Sequence, residues 1–257
     1  MDRKDMYEFR QIDALSELPA VEWDGLLRQA DAPTPFMRAG FLRALDLAAN
    51  PQHGWRPSFS LLLERGRLVA ACPLYLKAHS WGEFVFDQAW ARAYEAHGLR
   101  YYPKALVAVP FTPVPGSRLL ATGPAERRAL VKHLQDWVQQ LGLSGLHVLF
   151  GSAADAQALE ARGFSRREQP QFHWQRAPHW QGFADFLADL RRDKRKKIQQ
   201  ERRRVGEQGV SFTVHEGEAI EPALWRFFYR CYETTYAAHG GPPYLKPAFF
   251  EAMAQQL

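Results

Sequence analysis

A short stretch of the chain gathers the residue types that could recognise a sugar, a peptide or an amine. Aromatic side chains offer flat apolar faces, while a carboxylate and an ammonium supply charged hydrogen-bonding groups. The candidate substrate-binding residues of this stretch are Phe86, Asp87, Trp90, Tyr94, Tyr101, Tyr102 and Lys104. Asp87 is also the candidate catalytic residue, as general base to an attacking amine. The alternative interpretation is structural, with Trp90 and Tyr94 in the core and Asp87 capping a helix.

A strongly basic segment from Phe183 to Val210 is predicted to be one helix. It contains good helix formers and no proline, and Gly209 supplies a C-terminal stop. Nine basic residues and two acids lie between positions 191 and 204, so the stretch 191–204 carries +7 while the whole chain carries +5. The candidate anion-binding or nucleic-acid-binding residues are Arg191, Arg192, Arg195, Lys197, Arg202 and Arg203. The alternative is a solvated helix or one that braces two domains.

One lysine of this predicted helix falls on its apolar side. At about 100° per residue, Lys194 lies on the same stripe as Leu187, Ile198 and Val205. A buried ammonium needs a partner or access to water. Lys194 is therefore a candidate for contact with an anionic ligand, and the alternative is a lysine that reaches solvent or pairs with a nearby carboxylate.

The elements that would position these residues alternate between strands and helices. Strands are predicted at 6–12, 58–64, 67–76, 82–86, 101–111, 146–150 and 164–175, with a hairpin turn at Arg65-Gly66. Helices are predicted at 18–30, 38–49, 87–97, 124–140 and 153–162. The expected buried sides are Phe41, Leu42, Leu45 and Leu47 in one helix and Leu130, Leu134, Trp137 and Val138 in another. This order predicts an α/β (α+β) fold with a mixed central sheet flanked by helices.

Composition and motif spacing exclude several classes of protein. The two cysteines, Cys72 and Cys231, have no motif spacing, so a disulfide scaffold is not expected. The nine histidines lack metal-ligand spacing, and we expect neither a metal nor a covalently bound cofactor. The charged N-terminus has no apolar run typical of a signal peptide, and no stretch reaches the ~18 apolar residues of a membrane span. A cytoplasmic location is the expectation.

Several segments carry a resemblance to known proteins. The element order, ending in a short helix and Gly163-Phe164, resembles the GNAT (Gcn5-related N-acetyltransferase) fold. More specifically, the chain resembles the FemAB-like family of bacterial proteins in GEFVFDQAWARAYEAHGLRYYPK, VPFTPVPGSRLL, FHW, RRDKRKKIQQERRRV, RCYETTY and HGGPPYL. This family is grouped with the Fem aminoacyltransferases of peptidoglycan synthesis and has two GNAT-like domains in tandem.

The resemblance implies a division of the chain into two domains. Residues 1–171 would form an N-terminal GNAT-like domain, and residues 172–257 the basic helix and the beginning of a second one. In that second part a strand is predicted at 210–214 and helices at 222–238 and 246–256, after which the sequence reads as truncated. The matched segments add His173, Trp174, Tyr232 and Tyr236 to the candidate substrate-binding residues.

The resemblance also implies an activity, namely transfer of an acyl or aminoacyl group to a primary amine in peptidoglycan-related metabolism. The donor would be acyl-CoA or aminoacyl-tRNA, and tRNA is a candidate partner because of the basic helix. An ordinary acetyl-CoA site in the first domain is not expected. Leu159 occupies the place of the usual GNAT tyrosine acid, and Gly116 and Gly123 form no tight Gly-x-Gly. The alternative is a non-catalytic GNAT-like protein that binds nucleic acid or a partner through residues 191–204.

Overall fold

The computed structural model describes residues 7–48 and 54–256 of the chain. Its strands are β1 (Tyr7–Ile12), β2 (Trp55–Pro57), β3 (Phe59–Glu64), β4 (Arg67–Cys72), β5 (Leu74–Lys77), β6 (Lys104–Val107), β7 (Leu120–Ala121) and β8 (Leu146–Val148). Its helices are α1 (Ala20–Arg28), α2 (Ala39–Ala48), α3 (Gln88–Ala96), α4 (Pro124–Gln140), α5 (Ala153–Glu160), α6 (Phe183–Asp189), α7 (Arg192–Glu207), α8 (Pro222–Ala238) and α9 (Pro247–Gln256). The predicted α/β class is confirmed.

The described strands form two four-stranded sheets and not one central sheet. The first sheet has the order β1-β3-β4-β7, and all its neighbours are antiparallel. The second has the order β2-β5-β6-β8, in which β6 and β8 are parallel. The chain passes from the first to the second at Pro73. Proline has no N–H for a strand ladder, so the strand predicted at 67–76 is divided into β4 and β5.

The hairpin between β3 and β4 forms where the sequence predicts it. Arg65 and Gly66 have positive φ angles of 51° and 77°, as a tight two-residue hairpin turn requires. The turn pairs Leu61 with Ala71 and Leu62 with Ala70. This register fixes which side chains of β3 point to each face of the sheet.

Helices pack against both faces of the first sheet. On one face Phe59 and Leu61 of β3 join a core with Trp23 of α1 and residues of α2 and α9. On the other face Leu62 joins a second core with Leu130 of α4 and residues of α5. The alternation along β3 therefore divides the hydrophobic interior into two layers.

The helix faces predicted to be buried are buried where the structure describes them. Of the residues predicted to face the core, those that are fully or largely buried are Phe41, Leu42, Leu45, Leu130, Leu134 and Val138. Trp137 is partly buried against the same core as Leu130. The side chain of Leu47 lies outside the described residues, and so does the first residue of the strand predicted at 6–12.

Three of the predicted strands are wrong. At 82–86 the chain turns, because Gly82 and Phe84 have φ angles of 78° and 57°. No strand forms at 164–175 or 210–214 within the described residues. Phe172 and Phe212 in these segments are 98% and 83% exposed. An extended segment with no neighbouring strand lacks the ladder hydrogen bonds that would stabilise it.

The chain contacts divide into two compact units. The first unit runs to Arg166 and resumes at Ile220, and the second consists of residues 167–219. Helices α8 and α9 thus belong to the same unit as the N-terminal sheets, where Phe249 packs edge-on against Phe41 with ring centroids 5.6 Å apart. This division differs from a boundary at residue 172, and the second GNAT-like domain stays a prediction.

The second unit contains two helices where the sequence predicts one. Between α6 and α7 the backbone is extended at Leu190 and Arg191, with ψ angles of 149° and 148°. Just before this break, the Asp189 carboxylate accepts a hydrogen bond from the indole of Trp180, at 2.7 Å. Helix α7 ends as predicted, because Gly209 follows it with a φ of 71°.

Truncating Phe249 to alanine tests whether α9 is part of the first unit. We expect Phe249→Ala to lower the free energy of unfolding by about 3–5 kcal/mol, because it removes a buried aromatic ring from the core. Urea denaturation measures this change. The control is Phe227→Ala in α8, which removes an exposed ring and should change stability by about 0.5 kcal/mol or less. Equal small losses in both variants would contradict the packing of α9.

Candidate functional site

The centre of the candidate site is the ammonium of Lys104, the first residue of β6. Its side chain is fully buried, and its Nζ donates to Ser80 Oγ at 2.7 Å, to Glu83 Oε2 at 2.8 Å and to Asp87 Oδ2 at 2.6 Å. An ammonium has three N–H donors, and each of these finds an acceptor here. Lys104 therefore ties the loop after β5 to the start of α3.

Two tyrosines extend this network. Tyr101 donates a hydrogen bond to Asp87 Oδ2 at 2.8 Å, and the hydroxyls of Tyr102 and Ser80 are 2.8 Å apart. The ring of Tyr94 packs edge-on against Tyr101 at 5.2 Å. The structure thus brings together five of the residues predicted from positions 86–104, namely Asp87, Tyr94, Tyr101, Tyr102 and Lys104.

A second buried lysine, Lys77, balances the charge of the site. Its Nζ lies 4.1 Å from the ring centroid of Trp55 and donates to the carbonyl of Trp81 at 3.1 Å. The side chains of Lys77 and Glu83 are almost completely buried. Two lysines and two acids therefore share one low-dielectric region, and each charge there needs its opposite.

The pKa values of the two buried acids shift in opposite directions. Burial raises the pKa of Glu83, and the nearby Lys104 only partly offsets this. Burial also acts to raise the pKa of Asp87, but hydrogen bonds from Lys104, Ser80 and Tyr101 outweigh it and hold that pKa below its usual value. Burial lowers the pKa of Lys77 to about 7. Asp87 is thus a stable carboxylate at neutral pH, whereas burial makes the protonated form of Lys77 less stable than that of an exposed lysine.

Glycine is required at position 82, where three elements of the site meet. Gly82 has a φ of 78°, and a Cβ atom there would lie 2.5 Å from the ring of Phe111 and 3.2 Å from the indole nitrogen of Trp55. The turn at Gly82 places Glu83 beside Lys104 and Phe84 at the surface. A left-handed glycine is the residue that fits such a close approach without strain.

Asp87 occupies the predicted cap position but does not cap the helix. It is the N-cap residue of α3, yet its side chain accepts no hydrogen bond from the first turn. Its Oδ2 is taken by Lys104 and Tyr101, because the buried ammonium is the stronger partner. The structural interpretation of Asp87 as a capping residue is wrong, and its catalytic role stays a prediction.

The segment that supplies the acids of the buried cluster also carries exposed aromatic side chains, here called the aromatic rim. We define this rim as Trp81, Phe84, Phe86 and Trp90, whose side chains are 65%, 46%, 81% and 49% exposed. The interpretation of Trp90 as a core residue is therefore wrong, and Tyr94 is only half-buried. Four exposed aromatic side chains within ten residues form the kind of surface that binds ligands.

A run of aromatic rings connects the site to the C-terminal helices. Phe111 lies 5.6 Å from Trp55 and stacks on Tyr244 at 4.8 Å. Tyr244 contacts Tyr236 at 5.4 Å, and Tyr236 contacts Tyr232 at 4.8 Å. The two tyrosines predicted from α8 thus reach the site through ring contacts, while Tyr232 also accepts a hydrogen bond from the backbone N–H of Leu245.

The remaining candidate residues lie in the second unit. Trp174 is 70% exposed and packs against Trp180 at 5.9 Å, and His173 is exposed beside it. The stripe of α7 predicted to be buried is at the surface, because Lys194 is exposed and Ile198 only half-buried. Of the candidate basic residues, Arg195 is half-buried and the others, Arg191, Arg192, Lys197, Arg202 and Arg203, are exposed.

Sequence reasoning missed three members of the buried cluster: Lys77, Ser80 and Glu83. A signal for Lys77 was present, since this lysine ends an apolar run and would need a buried partner. No comparable signal exists for Glu83, because its partner Lys104 lies 21 residues away along the chain.

Two further features are absent from the part of the chain that the structure describes. No group of three or more His, Cys, Asp or Glu side chains there is placed to hold a metal ion. None of the helices in residues 7–48 and 54–256 has the length and apolar character needed to cross a membrane.

Replacing Lys104 with methionine tests whether the cluster holds this segment together. We expect a loss of about 3–5 kcal/mol in unfolding free energy, since Asp87 and Glu83 would remain buried without their cation. Urea denaturation at pH 7 measures it. Lys132→Met is the control, because Lys132 pairs with Asp136 at the half-exposed surface of α4 and should contribute about 1 kcal/mol at most. A loss of unfolding free energy equal to that of Lys132→Met would show that the cluster does not stabilise this segment.

Several solved structures resemble parts of this chain at low identity. Aminoglycoside N-acetyltransferase AAC(6')-Iy in complex with CoA is 14% identical, with a TM-score of 0.37, and the match covers 66% of this chain and 100% of that one. A ribosomal-protein-alanine N-acetyltransferase from Brucella melitensis biovar Abortus 2308 is 14% identical, with a TM-score of 0.38, and the match covers 66% of this chain and 99% of that one. Such distant likeness carries no argument about substrates.

The sequence itself matches one family over nearly its whole length. A search of curated proteins found no match. The FemAB-like family, described as peptidoglycan biosynthesis/recognition, matches residues 14–257. A match of this extent includes the Lys104 cluster, the aromatic rim and helices α7 to α9. The chain belongs to the FemAB-like family.

Proposed function

We propose that the protein transfers an acyl or aminoacyl group to a primary amine of a peptidoglycan-related acceptor. In this reaction the amine nitrogen forms an amide bond as the thioester or ester bond of the donor breaks. One amine proton leaves, and the thiol or hydroxyl of the donor is released with a proton. Membership of a family described as peptidoglycan biosynthesis/recognition supports the class of acceptor.

The observation that carries this proposal is the aromatic rim above the buried charges. Trp81, Phe84 and Phe86 are exposed, yet the segment that bears them is held by Lys104 and its three acceptors. Rigid aromatic faces lose little entropy on binding and suit the flat apolar faces of sugars and peptides. We infer that the rim binds the acceptor.

Asp87 has a different role in this proposal from the general base that the sequence predicts. A general base works best with a pKa near the working pH. Burial acts to raise the pKa of Asp87, but hydrogen bonds from Lys104, Ser80 and Tyr101 outweigh it and keep this pKa below its usual value. Its carboxylate is only 2% exposed. We infer that Asp87 is a positioning residue, which fixes Lys104 and Tyr101 beneath the rim.

The donor is acyl-CoA or aminoacyl-tRNA, and we infer that neither binds at the start of α4. A helix N-terminus attracts anions when its N–H groups are open. Here Pro124 removes one donor, and the carboxylate of Glu126 folds back over Gly123, where an added Cβ would lie 2.7 Å from Glu126 Oε2. A pyrophosphate would meet that negative charge.

The transfer reaction can be tested directly with both donors. Purified protein is mixed with a muropeptide that bears a free amine and with either acetyl-CoA or bulk aminoacyl-tRNA, and mass spectrometry follows the acceptor. A mass increase equal to one acyl or aminoacyl group supports the proposal and identifies the donor. An unchanged acceptor mass with both donors contradicts it.

The rim makes a specific kinetic prediction. We expect Phe86→Ala to raise the KM for the acceptor about tenfold, which corresponds to about 1.4 kcal/mol of lost stacking, and to leave kcat nearly unchanged. Phe227→Ala, which removes another exposed ring, on α8, is the control and should leave both constants unchanged. A fall in kcat with no change in KM would remove Phe86 from the binding surface.

The exposed charges of α7 favour a second candidate function, binding of an anionic polymer such as tRNA. In the second unit, Arg192 and Lys196 project from this helix into solvent, and the segment 191–204 carries +7. Cationic surfaces of this density bind nucleic acids by releasing condensed counterions. The same helix would serve a non-catalytic binding protein equally well.

Salt dependence tests this second function. The double variant Arg192→Gln with Lys196→Gln should lower the slope of log K against log salt for bulk tRNA by about 1.4–1.8. The matched control is Arg128→Gln with Lys132→Gln on α4, which should keep the wild-type slope. Binding with equal slopes in all three proteins would exclude α7 as the tRNA surface.

A further inference from the structure

A cavity in the first unit shares Trp55 and Lys77 with the candidate site, and its lining includes none of the four rim residues. Its volume is about 560 Å³, and residues of α2, β2 and β5 line it together with Pro103 and Pro110. Most of its wall is apolar, including Leu45, Pro57 and Leu76. Pockets of this size and composition, with few polar groups, are the usual form of small-ligand sites.

Three residues that line this cavity carry a buried polar atom with no hydrogen-bond partner among the described residues. These atoms are Oδ2 of Asp46, the hydroxyl oxygen of Tyr75 and the indole nitrogen of Trp55. Tyr75 is only 2% exposed. Buried polar groups in native proteins are nearly always paired, so unpaired groups in the wall of a cavity indicate that a ligand or solvent supplies the partner.

The cavity also has a positive side. Lys77 lines it and lies two residues from Tyr75 on β5, so the two side chains share one face of the sheet about 6.6 Å apart. No ion pair joins Lys77 to Asp46 within the described residues. The cavity wall thus offers a carboxylate and a hydroxyl near one another, an ammonium one strand repeat from that hydroxyl, and the guanidinium of the exposed Arg56.

We propose that this cavity binds a small zwitterion, an α-amino acid with an apolar side chain. Its ammonium would donate to Asp46 and Tyr75, its carboxylate would pair with Lys77, and its side chain would contact Leu45 and the prolines. A ligand with a positive charge alone would make no use of the cationic side chains of Lys77 and Arg56, and a purely anionic ligand would face Asp46. Only a ligand with both charges matches both ends of the site.

The groups around the cavity predict how this binding depends on pH. Burial raises the pKa of Asp46 to about 7, and Tyr75 is the titratable group that faces it. Burial lowers the pKa of Lys77 to about 7, with Glu83 and Lys104 as its charged neighbours. Asp46 loses its charge as the pH falls below 7, and Lys77 loses its charge as the pH rises above 7. Affinity should therefore be greatest near pH 7 and decline on both sides.

Calorimetric titration of the full chain with three related probes tests the proposal. L-leucine carries both charges, 3-methylbutan-1-amine lacks the carboxylate, and 4-methylpentanoate lacks the ammonium. We expect L-leucine to bind, and each analogue to bind about tenfold or more weakly, because each loses a hydrogen bond between charged groups. Equal binding of leucine and either analogue, or no binding of leucine at pH 7, would overturn the proposal.

Two variants test which residue binds each charged group of the ligand. Asp46→Asn should weaken L-leucine about tenfold and remove the decline in affinity below pH 7, and Lys77→Met should remove the decline above pH 7. Asp136→Asn and Lys132→Met on α4 are the matched controls and should bind as wild type. Circular dichroism checks that each variant is folded. If a variant does not fold, the comparison of the three probes on the wild-type protein still tests the proposal. Wild-type affinity and pH dependence in folded Asp46→Asn would contradict it.

Discussion

The ammonium of Lys104 is the constraint on which the candidate site depends. It is fully buried, and a buried charge is tolerated only when its donors are all paired. Ser80, Glu83 and Asp87 meet this requirement from a loop and a helix start. The need to satisfy one charge therefore fixes the path of the chain from the end of β5 to α3. The open turn at Gly82 and the surface position of the aromatic rim follow from that path.

The same cluster explains why exposed aromatic residues do not collapse into the core. Phe84 and Phe86 alternate with Glu83 and Asp87 along the chain, so the acids that point inward to Lys104 turn the rings outward. The cost of leaving large rings in water is offset by the buried ion pairs that hold the segment. Large aromatic rings held in solvent contribute neither to core packing nor to solubility, and such rings are typical of a binding surface. The family's description of peptidoglycan biosynthesis/recognition agrees with such a surface.

Local sequence signals predicted the elements whose determinants are local. The turn at Arg65-Gly66, the stop at Gly209 and the helix at 222–238 all depend on residues within one or two turns of the chain. Failures occurred where distant partners decide the structure. The run predicted as one strand at 67–76 divides because β4 pairs with β3 and β7 while β5 pairs with β2 and β6. The Asp87 side chain does not cap α3 because it pairs with Lys104, which is 17 residues away. The role of Glu83 depends on tertiary contacts that no local sequence pattern contains. The same holds for the placement of Asp46 and Tyr75 in the wall of one cavity.

The proposed function requires that the segment held by Lys104 binds the acceptor. Hydrogen exchange with and without a muropeptide is the measurement to make, because amide protection reports local binding and stability. We expect added protection in peptides that cover residues 79–102, at the loop after β5 and at α3, and none in peptides from the exposed segment 167–176. Protection confined to the second unit, or unchanged exchange across 79–102 at a saturating muropeptide concentration, would show that the acceptor does not bind at this segment.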